Sequence, residues 1–544
     1  MKSVSRIFSH ALDLTGWSIS RRSVLTGALA TALSGTLLGS AWAQDDRKTL
    51  RIVQSTALKV VDPIFQNAYP VRNHGYLVFD TLFGVDDKYR PQPQMVKDWS
   101  LSDDKLTYSF TLRPGLKFHD GTFVKSGDCV ASIKRWGSRD TMGRILMDRV
   151  ASMNVVDDST FTIVLKEPYG MVLDSIAKPG TYVPFIMPKR LADTPADQQV
   201  TEVVGSGPFR FVAGEFQPGV RAVYEKFADY IPRSEPPVWT SGGKVARVDR
   251  IEWIGMPDSQ TAANALMNGE VDFVEMPPLD MLDILEQTQG VVVKDVMHVG
   301  YNNAVYPNWL NPPFNNQKIR QALLLSLNQK DVLAAQVGNE KYYSECKAMF
   351  VCGSPYATDV GAPAGPDIEK AKQLLKEGGY KGEKVVILQA SDIAMHGAVS
   401  PVVAQALRNI GMNVEVQPMD IQTLFTRRGN QAPIAENGWS IYNGYWQSVD
   451  ILNPITNVGV SGRGKNGGWF GWAEDEQLVS LRQDFIKETD ETKRKQIVEK
   501  IQKRAYDLVT YVPAGMFNVP YAYRDNVKGL LSGPGPVFWN VSKD

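Results

Sequence analysis

The chain has 544 residues, more than one ordinary domain needs, so two or three closely packed domains are expected. Its 59 basic and 59 acidic residues balance, which argues against nucleic acid or an anionic membrane surface as the partner. Outside the first 43 residues there is no long apolar run, so no membrane domain is expected.

Residues 1–43 have the layout of a secretory signal. The pair Arg21–Arg22 precedes a run rich in Ala, Gly, Thr and Leu, and the segment 41–43 reads Ala-Trp-Ala, a signal-peptidase pattern. The paired arginines and the weak hydrophobicity indicate twin-arginine export. The alternative is a transmembrane anchor, but Thr, Ser and Gly make this run a poor lipid-facing helix. Because Gln44 and not a cysteine follows, we expect a cleaved leader and a free periplasmic protein.

The first third of the mature chain predicts a sheet-rich region. Apolar and polar residues alternate from Leu106 to Leu112, which is typical of a half-buried strand, and 161–165 predicts another strand. Between them, the run 119–121 predicts a turn, and a helix is expected to follow as far as about Trp136.

The later half predicts alternating strands and helices. Apolar strands at 385–388 and 414–416 flank a helix that is expected to start with Ser400 as cap and Pro401 in its first turn, and to end at Gly411. Such a βαβ unit predicts parallel strands and a right-handed crossover. Another helix of this α/β lobe is predicted between a capping Asp367 and a terminating Gly378.

The chain has three cysteines. In an oxidising compartment, Cys346 and Cys352 are close enough in sequence to form a disulfide that closes a small loop. The alternative, a metal-binding pair, lacks nearby His or Cys ligands. Cys129 lies in a predicted helix and is interpreted as a small buried apolar residue.

Seven short blocks of the sequence occur in the order and spacing of one known family. They lie at 61–63, 112–122, 205–209, 269–272, 312–316, 320–323 and 538–540. On these blocks, the mature chain resembles the dipeptide- and oligopeptide-binding proteins of ABC importers over essentially its whole length.

The resemblance implies an α/β fold, namely a two-lobed periplasmic binding protein (type II, cluster C) with an additional third domain. The lobes of such a protein close around ligand by a hinge. Domain I would comprise 44–90, 206–297 and 515–544, domain II 91–205, and domain III 298–514.

Two of the blocks contain residues that resemble chemical sites. The His119–Gly121 run is interpreted as a turn that packs domain II, and not as a catalytic His–Asp pair. Arg320 is expected to anchor a helix through an internal ion pair. We therefore predict no catalytic residues.

The resemblance also suggests ligand contacts. Gly438, Trp439 and Ser440 match a stretch that lies along the peptide backbone in family members, and we expect Trp439→Ala to weaken binding without unfolding the protein. In peptide binders, an aspartate two residues after the Ser440 position pairs with the peptide amino terminus, and here that position is Tyr442. Either another acid, with Asp450 first in line, takes this role, or the ligand has no free ammonium there.

Two aromatic residues follow, Tyr445 and Trp446, whose faces suit a sugar ring, an amide or a cation, although they could also only pack the lobe. The remaining candidate ligand contacts are Tyr301, Asn302 and Asn303 beside the hinge, and Ser206 and Phe517.

The expected function is capture of a peptide or peptide-like molecule and its delivery to the permease subunits of an ABC importer. The protein would act as a monomer, without cofactor or bound metal. Alternatives within the same fold are a non-peptide ligand (an opine, a sugar conjugate, heme or a metal chelate), presentation to a chemoreceptor, or a chaperone role. A hydrolase is disfavoured, because the sequence has no G-x-S-x-G elbow, H-E-x-x-H motif or phosphate-binding glycine loop.

Overall fold

The computed structural model describes residues 48–297 and 299–544. The predicted signal at 1–43 lies outside the described residues.

The strands of these residues are, in chain order, β1 Thr49–Val53, β2 Asp80–Thr81, β3 Phe83–Val85, β4 Pro91–Pro93, β5 Val96–Leu101, β6 Thr107–Leu112, β7 Val150–Val155, β8 Thr160–Leu165, β9 Phe185–Ile186, β10 Phe209–Phe211, β11 Arg221–Lys226, β12 Arg250–Ile254, β13 Phe273–Val274, β14 Val291–Lys294, β15 Tyr301–Pro307, β16 Tyr343–Ser344, β17 Lys384–Ala390, β18 Asn413–Met419, β19 Ile441–Gln447, β20 Val512–Phe517, β21 Tyr521–Arg524, β22 Val527–Lys528 and β23 Ser542–Lys543. The helices are α1 Tyr69–Val78, α2 Ser126–Gly137, α3 Thr141–Arg149, α4 Val172–Ile176, α5 Lys189–Ala192, α6 Ser259–Met267, α7 Leu282–Gln287, α8 Gln317–Ser326, α9 Gln329–Val337, α10 Ile368–Glu377, α11 Ala394–Gly397, α12 Val399–Asn409, α13 Ile421–Arg427, α14 Glu476–Lys487 and α15 Glu491–Leu508.

The larger sheets draw their strands from different parts of the chain. A seven-stranded sheet has the order β10-β11-β12-β1-β13-β21-β14, and a six-stranded sheet has the order β16-β20-β15-β19-β17-β18. A four-stranded sheet has the order β5-β6-β8-β7. The predicted domain boundary between 514 and 515 falls inside β20, so this strand belongs to the six-stranded sheet on both sides of that boundary.

Two predicted strands and two predicted helices are confirmed. Burial alternates along β6 and β8, where Phe110 pairs with Phe161 and their rings stack with centroids 5.1 Å apart. The helix expected up to about Trp136 is α2, which ends one residue later. The helix predicted after Asp367 is α10, and the Asp367 carboxylate accepts a hydrogen bond from the Lys370 N–H at 2.9 Å, as an N-cap does.

The predicted βαβ unit is confirmed as β17, α12 and β18, with parallel strands. The start of its helix was predicted wrongly. The short helix α11 runs almost directly into α12, so Ala398 is the N-cap residue and Ser400 lies within the first turn. The Ser400 hydroxyl instead donates to Leu388 O at 3.0 Å and accepts from Asn443 Nδ2 at 2.7 Å, which fastens the helix to the sheet.

Two of the sequence blocks have structural roles. Asp62 forms a buried ion pair with Arg135 at 2.7 Å and also accepts a hydrogen bond from the Val200 N–H. His119 contacts the block at 205–209, because its Nε2 lies 3.0 Å from Gly207 O. Burial lowers the pKa of His119 to about 4, so the ring is neutral at physiological pH. The turn at 119–121 thus joins two distant segments.

The expected ion pair of Arg320 is not present among the described residues. Its guanidinium donates to Leu508 O at 2.9 Å and Phe314 O at 2.8 Å, and its Cζ lies 3.5 Å from the centre of the Trp309 ring. Carbonyl oxygens and an aromatic face therefore replace the predicted carboxylate.

A disulfide joins Cys346 to Cys352, whose Cα atoms are 5.8 Å apart. Cys129 is free and buried in α2, and burial raises the pKa of its thiol. Across residues 48–297 and 299–544, no helix has the length and apolarity needed to cross a membrane.

Candidate functional site

Strand β19 brings several of the predicted ligand contacts together. It pairs antiparallel with β15, with Asn302 opposite Trp446, Asn303 opposite Tyr445, and Tyr301 opposite Gln447. On the other side of β15, Tyr301 also pairs with Phe517 of β20. The aromatic members contact one another, because the Tyr301 ring stacks on Phe517 at 5.2 Å and meets the Tyr445 ring edge-on at 5.5 Å.

A small cavity of about 10 Å³ lies against this strand pair, and Asn302, Asn303 and Trp446 are among the residues that line it. This volume suits about one water molecule. The Asn302 side chain donates to Ser448 Oγ at 2.5 Å and the Asn303 side chain donates to Gln336 Oε1 at 2.5 Å. The two amides therefore have partners within the protein.

A large cavity of about 290 Å³ lies nearby. Its walls come from the β3–β4 hairpin, the segment around α4, the chain after β19, and α15. Lining residues with polar groups include Tyr89, Asp174, Lys178, Asn453 and Arg494. The volume is close to the lower end of the range of small-molecule pockets, roughly 300–1,000 Å³.

Charges of both signs surround the large cavity. Lys178 forms an ion pair with Asp140 at 2.5 Å, and Arg494 donates to Gly170 O at 2.6 Å. Desolvation raises the pKa of Asp174, and the positive charge of Arg494 partly offsets this rise. Such an arrangement can receive a molecule that carries both a cationic and an anionic group.

Tyr89 contributes a buried hydroxyl to the large cavity, and this hydroxyl has no hydrogen-bond partner within the described chain. Burial raises the pKa of the hydroxyl, so it stays protonated and can donate. Buried polar atoms without partners are uncommon, which makes Tyr89 a group that is available to a bound molecule.

Asp450 connects three distant segments beside this cavity. One carboxylate oxygen accepts from Tyr69 Oη at 2.9 Å, and the other accepts from the Thr181 N–H at 3.0 Å. A Cβ atom on Gly180 would lie only 2.4 Å from the second oxygen, so this close approach requires glycine. Burial, followed by the Asp450 charge, raises the pKa of Tyr69. Both carboxylate oxygens of Asp450 thus have partners inside the protein.

The residues just before β19 and at its start are held by contacts inside the protein. Trp439 is 0% exposed and donates from Nε1 to Arg428 O at 3.1 Å, while the Ser440 hydroxyl accepts from the Val386 N–H at 3.0 Å. Tyr442 stacks on Tyr306 at 4.8 Å. Trp439, Ser440 and Tyr442 line neither of the two cavities.

Two other candidates lie apart from both cavities. A Cβ atom on Gly438 would lie 2.1 Å from Ala432 O, so this glycine permits close backbone packing. Ser206 is buried, and its hydroxyl has no hydrogen-bond partner in the described part of the chain. The structure does not bring Gly438 or Ser206 to the lining of either cavity.

None of the residues that line the large cavity was among the predicted ligand contacts. Tyr89, Asp174, Lys178 and Arg494 come from distant segments and form no local motif. One signal was available, since Asp174 and Lys178 are charged residues in the largely apolar stretch between Met171 and Pro179.

No group of three or more His, Cys, Asp or Glu side chains within 48–297 and 299–544 could hold a metal ion.

Comparisons with known proteins agree on one family. Residues 90–462 match the model of the bacterial extracellular solute-binding proteins, family 5 (Middle). A Sinorhizobium fredii protein named as a probable peptide ABC transporter periplasmic-binding protein is 39% identical over 534 residues, which are 97% of this chain and 100% of that protein.

Solved structures share the fold. The periplasmic binding protein DppA from Helicobacter pylori, in complex with the peptide STSA, has a TM-score of 0.71 and 20% identity, covering 91% of this chain and 98% of its own. AgaA from A.tumefacien R10, in complex with agropinic acid, has a TM-score of 0.72 and 21% identity, covering 91% and 99%. The fold is therefore that of periplasmic binding proteins.

Proposed function

Because the chain belongs to the bacterial extracellular solute-binding proteins of family 5, we propose that it captures a peptide or peptide-like small molecule in the periplasm and delivers it to an ABC importer. The membrane permease subunits of that importer are the proposed protein partners, and the binding protein acts as a monomer without enzymatic activity. Residues 1–43 serve as a cleaved twin-arginine signal, and Cys346 and Cys352 form a disulfide after export.

The large cavity is the observation that carries this proposal. Its lining residues come from the β3–β4 hairpin, from 142 and 174–179, and from the segments 355–356, 449–456 and 491–494. The charge of Lys178 is already paired with Asp140, but Arg494 offers positive charge to a carboxylate and Asp174 offers negative charge to an ammonium group. A short peptide carries both groups at its ends.

The three larger sheets support a division into three domains, at 44–90 with 206–297 and 515–544, at 91–205, and at 298–514. In this division Tyr69, Thr181 and Asp450 come from three different domains. Their hydrogen bonds exist only when the domains are together. Contacts of this kind let a ligand shift the balance towards the closed form. We therefore propose that Asp450 acts in closure.

We propose that Tyr301, Asn302, Asn303, Tyr445 and Trp446 contact ligand at the β15–β19 pair. Trp439, Ser440 and Tyr442 are buried, and we propose that they support the β15–β19 strand pair without contacting the ligand. Phe517 stacks on Tyr301, and Gly438 allows the tight turn before the strand.

A thermal-shift screen of the protein purified from the periplasm tests the function. Di- to pentapeptides, opines, sugar conjugates and metal chelates would be compared. A ligand at a hundredfold excess over its Kd adds about 2.7 kcal/mol to the free energy of unfolding. A shift with peptides supports the proposal, and no shift with any peptide contradicts it.

Two variants test whether the ligand binds in the large cavity. Leu452→Trp places a larger side chain in the cavity lining and should abolish the shift, whereas Leu101→Trp on the exposed strand β5 should not. Tyr89→Phe removes the unpartnered hydroxyl and should weaken binding without lowering stability. Unchanged binding in Leu452→Trp would place the ligand elsewhere.

A second candidate is a non-peptide solute in the same transport role. It is favoured by the state of Asp450, because both of its carboxylate oxygens already accept hydrogen bonds inside the protein, from Tyr69 and from Thr181. A shift only with opines, sugar conjugates or chelates in the same screen would favour this candidate.

A further inference from the structure

Arg428 lies among aromatic rings. Its Cζ is 4.3 Å from the centre of the Phe425 ring, 4.5 Å from Phe470, 5.3 Å from Trp469 and 5.7 Å from Tyr442. We call these five residues the Arg428 cluster. Each ring face attracts a cation, so together they hold the guanidinium in place without neutralising its charge.

The guanidinium of Arg428 has no acceptor in the described residues. Within residues 48–297 and 299–544 its side chain forms no hydrogen bond or ion pair, and its Nε is buried without a partner. Desolvation lowers the pKa of Arg428, and the other groups that act on this pKa are the hydroxyls of Tyr442 and Tyr306. A half-buried cation that lacks both a carboxylate and a carbonyl acceptor is unusual, because unpaired buried donors cost free energy.

The neighbouring arginine differs in this respect. Arg427 donates to Asn437 O and to Gly438 O, each at 3.2 Å. Its guanidinium is therefore used to fasten the loop before β19. The guanidinium of Arg428, at the next position, does not fasten this loop.

The Arg428 cluster is accessible and adjoins the proposed ligand contacts on the β15–β19 strand pair. Phe425 is 40% exposed, and Arg428, Trp469 and Phe470 are half-buried. The Trp469 ring lies 4.9 Å from the ring of Trp446, which lines the small cavity. An aromatic surface thus continues from the β15–β19 pair to Arg428.

We propose that Arg428 binds a carboxylate group of the captured solute. This inference rests on the proposed function and names the class of ligand, a small molecule with a carboxylate next to an apolar or aromatic part. The planar guanidinium can donate two parallel hydrogen bonds to a carboxylate, and the rings of the cluster hold that plane. The apolar part of the ligand would rest on Phe425 and Trp469.

The test compares matched ligands with and without the carboxylate. Pools of tripeptides with free carboxyl ends, and the same pools as amides without Asp or Glu, would be titrated against the purified exported protein by thermal shift and calorimetry. We expect the acid pool to bind more tightly, by about tenfold to a hundredfold, as one or two hydrogen bonds to a charged group provide. A third pool, of amides that contain Glu, distinguishes a side-chain carboxylate from a terminal one.

Variants assign this preference to Arg428. Arg428→Met should abolish the difference between acid and amide pools, and Arg428→Lys should retain part of it. Arg408→Gln is the matched control, because Arg408 is exposed on α12 and its side chain donates to Val414 O. Acid and amide pools that bind equally well, or a preference that survives in Arg428→Met, would overturn the proposal and leave the transport function standing.

A second probe does not depend on peptide binding. Phenylacetate and phenylacetamide would be compared by quenching of tryptophan fluorescence, since Trp469 belongs to the cluster. We expect phenylacetate to quench more strongly in the native protein, and equally in Arg428→Met. If no peptide pool binds, the peptide function fails, and equal quenching by both probes then also overturns the role of Arg428.

Discussion

Arg320 and Arg428 both place a guanidinium on aromatic rings, in the part of the chain that supplies the six-stranded sheet. Arg320 covers Trp309 and also donates to Leu508 O and Phe314 O. Arg428 has four rings around it and no acceptor in the described chain. Desolvation lowers the pKa of both, that of Arg320 to about 9. The comparison shows that stacking alone does not identify a role, whereas the presence or absence of acceptors does.

The largest expected effect on the free energy of unfolding concerns Trp439, which holds the backbone at Arg428 in place. It is fully buried, donates to Arg428 O, and its ring lies 5.4 Å from that of Tyr442. Trp439→Ala should lower the free energy of unfolding by about 3–5 kcal/mol, as is usual for a buried Trp. Urea denaturation measures this, with Trp99→Ala on exposed β5 as the control. A loss below about 1 kcal/mol would agree with the sequence-based expectation of a purely ligand-binding Trp439.

The second effect separates the two arginines directly. Arg320→Met leaves the Leu508 and Phe314 carbonyls without their partner and should cost about 2–4 kcal/mol. Arg428→Met removes no hydrogen bond and should cost less than about 1 kcal/mol. Equal losses in urea denaturation of the two variants would contradict the distinction between a structural and a ligand-binding arginine.

Loss of the disulfide serves as a reference for the two arginine variants, because it should change stability without changing ligand preference. Its loop spans only six positions, so replacing Cys346 and Cys352 by Ser should cost about 2 kcal/mol and leave ligand preference unchanged. Thiol titration of the denatured wild type without reductant should find one reactive thiol, that of Cys129. Three reactive thiols would show that the bridge does not form.

The smallest effect concerns His396, whose ring lies 4.8 Å from Tyr445. Burial, followed by the positive charge of Arg428, lowers the pKa of His396 to about 4. Below about pH 6.5 the unfolded chain takes up a proton that the folded chain accepts only near pH 4, so this histidine lowers stability as the pH falls through that window. Above pH 6.5 it has no effect.

An NMR titration uses this histidine to detect the charge of Arg428. Arg428→Met should raise the pKa of His396 by less than about one unit, because one of two causes of the shift is removed. Arg320→Met should leave it unchanged. A His396 pKa that is the same in both variants would contradict a charged Arg428 beside it.

Local features of the fold could be predicted because they depend on neighbours in sequence. The alternation of 106–112, the cap at Asp367 and the strand–helix–strand pattern after 384 each express a local periodicity or hydrogen bond. The Ser400 cap was wrong because a short helix precedes it, and a single capping residue does not reveal what comes before.

The candidate site could be predicted only in part. Residues of β15 and β19 could be proposed as ligand contacts because a family resemblance points to contiguous stretches, and strand register then brings Asn302 beside Trp446. Tyr89, Lys178 and Arg494 are contributed singly by segments that meet only in the folded chain. Arg428 was missed for a similar reason, since the lack of an acceptor is a property of its surroundings and leaves no sequence pattern.

The proposed function requires that this protein captures one small solute per chain. Native mass spectrometry of the protein purified from the periplasm without unfolding tests it most directly. We predict a protein mass increased by a single small molecule, whose loss on denaturation and refolding lowers the thermal midpoint, and whose addition restores it. A bare protein mass in every preparation, together with no thermal shift in the ligand screen, would contradict the account.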